Sequence, residues 1–103
     1  MKLNVKKEVK KLIKDLDLNY TVDEFKDKVD WYAISCNQNL SENFIREFKN
    51  KVYWDTISYS QKLSENFIRE FKDKVSWGKI SDRQKLSENF IREFKDKVFD
   101  EQK

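Results

Sequence analysis

The chain has no proline and no histidine, and its 103 residues include one glycine, Gly78, and one cysteine, Cys36. Each absence removes a class of reading. One glycine cannot build a Gly-rich phosphate loop, and without proline little interrupts a helix. Without histidine, Cys36 has no base to activate it as a nucleophile, and metal ligation falls to carboxylates alone. No acidic calcium-loop pattern is present. Cys36 therefore reads as a small helix residue, and a lone cysteine excludes an intrachain disulfide. Carboxylates such as Glu65 and Glu70 recur five residues apart, which turns them away from each other on a helix. There is also no apolar run of ~18 residues and no apolar stretch near Met1 of the secretion-signal kind. The expectation is a soluble cytoplasmic protein, not an enzyme, with no metal, no cofactor and no membrane partner.

What remains is charged and aromatic. Charged residues make up 40% and aromatic residues 15%, and the aromatic share argues against disorder by supplying the side chains of a core. The net charge of +3 is unevenly placed. Lys2, Lys6, Lys7, Lys10, Lys11 and Lys14 face a single acid, Glu8, within the first 14 residues, while the rest of the chain is slightly acidic. The simpler reading of that lysine cluster is a solvated helix face; an anionic partner is the alternative.

A spacing of about 23 residues then organises the chain. Residues 40–52 read LSENFIREFKNKV, 63–75 read LSENFIREFKDKV, and 86–98 repeat the latter unchanged. A worn copy, YTVDEFKDKV, precedes them at 20–29. Trp31, Trp54 and Trp77 fall in register, as do Ile34, Ile57 and Ile80, and Gln38, Gln61 and Gln84. The organisation that follows is an N-terminal capping helix over 1–19 and tandem repeats over 20–103. The repeats divide as a degenerate unit at 20–39, units at 40–62 and 63–85, and a truncated one at 86–103.

Each unit reads as two short helices. Ser64 is placed to cap the longer, Leu63 and Ile68 to staple its entry, and Phe67, Ile68, Phe71 and Val75 to form one apolar stripe. Glu65–Arg69 and Glu70–Lys74 are i,i+4 pairs on the opposite side. The second helix starts after Asp30, Tyr53 or Ser76; Asp30 and Ser76 suit a cap and Tyr53 does not. One unit has too small a core to fold alone, so neighbours must stack. Over 4–18, Val5, Val9, Leu12, Ile13 and Leu16 line one side of a helix with lysines outward, as an N-terminal cap of a stack requires. The fold expected is all-α: short αα-hairpin repeats stacked as a small solenoid behind an amphipathic capping helix.

The pattern W-x-x-I-S-x-x-Q-x-L-S-E-N-F-I-R-E-F-K-D-K-V covers about 23–98. One full instance carries Trp54, Ile57, Ser58, Gln61, Leu63, Ser64, Phe67, Ile68 and Phe71. It resembles repeats of proteins encoded by giant viruses and some phages. The resemblance implies a virus-borne helical repeat protein and carries no catalytic residues. With such a source, a short inhibitor of a host defence complex is the natural specialisation.

Function is read from where the units differ. In the Trp helix the second, third, sixth and seventh positions vary: Tyr32, Asp55 and Gly78; Ala33, Thr56 and Lys79; Cys36, Tyr59 and Asp82; Asn37, Ser60 and Arg83. On a helix these positions share one face, so a constant scaffold carries a changing surface. Drift on an exposed face accounts for the variation equally well. The leading expectation is a protein-binding surface with Tyr32 and Tyr59 as anchors and Lys79, Asp82 and Arg83 at the rim. One alternative is nucleic-acid binding by Lys6, Lys7, Lys10, Lys11 and Lys14, with Arg83 and Lys85. Another is self-association through the last unit, whose truncation is expected to expose Phe94, Val98 and Phe99.

Overall fold

The computed structural model describes residues 1–37 and 39–98. Gln38, Phe99 and the closing DEQK lie outside the described residues. Among those described, every regular element is a helix: α1 (Leu3–Asp15), α2 (Val22–Lys28), α3 (Trp31–Asn37), α4 (Glu42–Glu47), α5 (Trp54–Ser60), α6 (Glu65–Glu70), α7 (Trp77–Arg83) and α8 (Glu88–Glu93). The units stack into a body of 45 × 22 × 19 Å. Helix α5 lies between α3 and α7, and α1 packs on α2 and α4. The expected all-α solenoid is therefore the fold.

Helix α1 stops earlier than the apolar spacing predicts. Asp17 takes a left-handed conformation (φ 53°), which short polar side chains tolerate best after glycine. The Asp17 and Leu18 amides then donate back to Lys14 and Ile13 carbonyls at 3.2 and 2.9 Å. This turn leaves Leu16 exposed and brings Leu18 against the core in its place. Val5, Val9 and Leu12 are buried as expected.

The SENFIREF helices are also shorter than expected. Ser41, Ser64 and Ser87 do cap them, accepting from Phe44, Phe67 and Phe90 amides at 3.0, 3.1 and 3.1 Å. The helix then ends at Phe71, whose φ and ψ are −111° and 31°. Val75 reaches the core through a turn, its amide bonded to the Phe71 carbonyl at 3.1 Å. The following tryptophan stabilises this break. Trp77 Nε1 donates to the Lys72 carbonyl at 3.0 Å, and Trp31 and Trp54 do the same to Lys26 and Lys49. An acceptor no longer used by the helix is thereby satisfied. The expected Glu70–Lys74 pair does not form, because the helix has ended. Asp30 caps α3 through the Ala33 amide, whereas Ser76 makes no cap bond. The Ser76 and Tyr53 amides instead donate to Ser58 and Ser35 hydroxyls of the preceding unit, so stacking starts these helices.

Three further kinds of side-chain polar contact tie one unit to the next. Gln84, buried, accepts from the Leu63 amide at 3.2 Å and donates to Ser58 and Gln61 carbonyls at 3.0 and 2.7 Å. Gln61 bridges Leu40 and Ser35 in the same way. Glu42 and Glu65 each take the amide and hydroxyl of the next unit's capping serine, Ser64 and Ser87. Glu8 of α1 does this for Ser41, so the capping helix stands in for a preceding layer. Arg46 donates through two nitrogens to Glu70 at 2.8 and 2.7 Å, which holds the Glu70 carboxyl below its ordinary value. Arg69 donates to Glu93 through Nε at 2.9 Å, so the expected Glu65–Arg69 pair gives way to contacts between units.

The core is a column of identical residues: Phe25, Phe44, Phe67 and Phe90, with Ile34, Ile57 and Ile80, each at most 2% exposed. Trp54 and Trp77 flank it, 5.1 and 4.9 Å from Phe71 and Phe94 between ring centroids. At the last unit, Val98 is buried rather than exposed and Phe94 is half-buried. The turn that ends the helix carries Val98 inward, as it carries Val75.

Candidate functional site

Helices α3, α5 and α7 form one layer whose inner side is invariant. Ile34, Ile57 and Ile80 and the serines that follow them are buried. The opposite side is where the units differ. Tyr32 and Cys36 on α3, Asp55, Tyr59 and Ser60 on α5, and Lys79, Asp82 and Arg83 on α7 are all exposed. Ala33, Thr56 and Gly78 sit half-buried between them. The varied positions thus occupy one continuous strip.

Three of the five expected contact residues touch. The Tyr59 ring lies under Arg83, 4.4 Å from the guanidinium carbon to the ring centroid, and Lys79 Nζ is 5.5 Å from the same centroid. Both cations favour the negative face of the ring, so they hold Tyr59 in place. Tyr32 belongs to a second cluster, packing edge-on against Tyr53 at 5.6 Å. In the sequence Tyr53 stands out only as a poor cap. That same anomaly, a bulky exposed aromatic where a sister unit has serine, was the available signal. Asp82 is exposed on α7, with no ion pair or side-chain hydrogen bond among the described residues.

Shallow grooves run along the strip. Tyr32, Asp55, Thr56, Tyr59 and Lys79 line one of about 420 Å3. Beside it, Tyr59, Lys62, Arg83 and Lys85 line another of about 230 Å3, with cations and no carboxylate. A third, of about 480 Å3, is walled by Glu8, Lys11 and Asp15 of α1 and by Cys36, Asn39 and Ser60. Cys36 and Ser60 also line the first groove, so the surface is continuous from α1 to α7. Lys62 and Lys85 enter it because each lies just beyond the end of a Trp helix.

On α1, Lys6, Lys7, Lys10, Lys11 and Lys14 are all exposed. Lys11 pairs with Asp15; the other four make no ion pair among the described residues. Among the described residues no cluster of Cys, Asp or Glu is arranged to hold a metal ion, and no helix is long and apolar enough to cross a membrane. No protein-family model matches the chain, and neither a curated protein nor a solved structure matches it.

Proposed function

We propose that the chain is a non-enzymatic helical-repeat module that binds another protein through the outer face of α3, α5 and α7. The observation that carries this reading is the strip itself. Three helices with the same buried side differ only outward, and there two tyrosine clusters are already held in position. Tyr59 is fixed by Arg83 and Lys79, and Tyr32 by Tyr53. Pre-positioned aromatic rings lose little freedom on binding, and charges around them set specificity more than affinity. With the virus or phage source implied by the repeat pattern, the partner is a component of a host defence complex and the chain its inhibitor.

The test is a nuclease-treated pull-down from host lysate with wild type and with Tyr32→Ala/Tyr59→Ala/Arg83→Ala. A protein held by wild type should bind the variant at least about tenfold more weakly, or roughly 1.4 kcal/mol. Equal capture by both ends the reading.

A second reading rests on Lys6, Lys7, Lys10 and Lys14, exposed on one helix and in no ion pair among the described residues. An array of that kind binds nucleic acid by releasing counterions, with affinity falling steeply as salt rises. The protein-binding reading has a shallow salt dependence, which separates the two.

A further inference from the structure

The outward face of α8 has the composition of an inner layer and the exposure of a surface. Ile68 is fully buried and Phe71 7% exposed, whereas their counterparts Ile91 and Phe94 are half-buried. The polar groups show the same difference. Glu65 binds the next unit's Ser87, and Arg69 binds Glu93 and covers the Phe90 ring at 5.1 Å. Glu88 and Arg92, in the same positions, meet each other at 3.6 Å, with side chains 89% and 72% exposed, and Arg92 also donates to Asn89 of its own helix at 2.8 Å; among the described residues neither reaches another unit.

We propose that this face docks on the same face of a second copy of the chain, the two related by a two-fold axis. The patch is self-complementary. It carries one anion and one cation a helical turn apart beside Ile91 and Phe94. A two-fold axis runs the two α8 helices antiparallel, setting Glu88 against Arg92 of the second copy and Arg92 against Glu88 of the second copy. Both apolar patches are covered by the same step, as they are inside the stack. Head-to-tail stacking does not fit. The other end of the molecule presents α1, whose Glu8 is engaged by Ser41 and whose outward side is lysine. Its N-cap is Lys2 and it contains no serine, so it offers Glu88 no capping serine.

The experiment is sedimentation equilibrium on the full chain, from about 10 µM to 1 mM, the range suited to a small interface. Glu88→Arg and Arg92→Glu are compared with wild type, with circular dichroism to show that each keeps its helix content. Wild type should dimerise. Each variant alone should associate at least about tenfold more weakly, since both pairs across the axis become like-charged. An equal mixture of the two variants should recover wild-type association, because opposite charges then face each other at both pairs. A wild-type chain that stays monomeric overturns the proposal. So do single variants that dimerise as well as wild type, or a mixture that associates no better than its components.

Discussion

Segments 63–75 and 86–98 have identical amino acids and different surroundings, which makes them a controlled comparison within one molecule. In both, a serine caps a six-residue helix, the helix stops at the second phenylalanine, and a valine folds inward through a turn. Those features are local, and they survive the change of neighbour. What changes is everything directed outward along the stack. Leu63, Ile68 and Phe71 are buried, while Leu86, Ile91 and Phe94 are half-buried. Glu65 leaves its own Arg69 for the amide and hydroxyl of Ser87 at 2.6 and 2.9 Å, whereas Glu88 stays with Arg92. A carboxylate with two donors offered by the next unit makes stronger bonds there than in an exposed i,i+4 pair worth about 0.2–0.5 kcal/mol.

The largest expected effect tests burial. Ile68→Ala should destabilise the chain by about 3 kcal/mol and Ile91→Ala by about 1 kcal/mol, measured by urea unfolding of monomeric samples. Equal losses would break the comparison and mean that α8 is as well covered as α6.

Next comes the buried glutamine between these segments. Gln84→Ala strands the Leu63 amide and leaves the Ser58 and Gln61 carbonyls without their side-chain donor, which should cost about 2 kcal/mol. Amide hydrogen exchange localises the loss: the Leu63 amide should exchange faster while that of Leu12, within α1, stays protected.

The smallest effect concerns pH. The Glu70 pKa lies below its ordinary value because the Arg46 guanidinium bonds its carboxylate. A lowered folded-state pKa contributes stability above the unfolded value, and that contribution is lost as pH falls through the folded value. Glu70→Gln should therefore be slightly less stable than wild type at neutral pH and converge with it under acid. Both partners are substantially exposed, so the difference should stay small and shrink with added salt. Parallel stability curves for wild type and variant across the acid range would remove the ion pair from the account.

Much of this architecture was legible in the residues. The 23-residue spacing, the capping serines and the shared positions of Phe25, Phe48, Phe71 and Phe94 follow from residue type and periodicity alone. The candidate face was legible only as a set of varied positions. Nothing in the sequence said that Arg83 would lie over Tyr59 or that Tyr53 would meet Tyr32, because the paired residues lie on different elements brought together by stacking. Ser76 shows the opposite error. It is a good cap by type, yet its amide is held by Ser58 from the layer below and its own hydroxyl makes no cap bond.

The sequence by itself determined the helical class, the length of the unit, where helices begin at Ser41, Ser64 and Ser87, and which phenylalanines and isoleucines are buried in the interior. Capping and hydrophobic period act over a few residues, so residue type suffices to read them. Only the tertiary structure decided which acceptor Trp77 would satisfy, which partners Glu65, Arg69 and Gln84 would take, and why identical segments end with different exposures. Most of those bonds join groups 21–26 residues apart. They exist only when one unit stacks upon another.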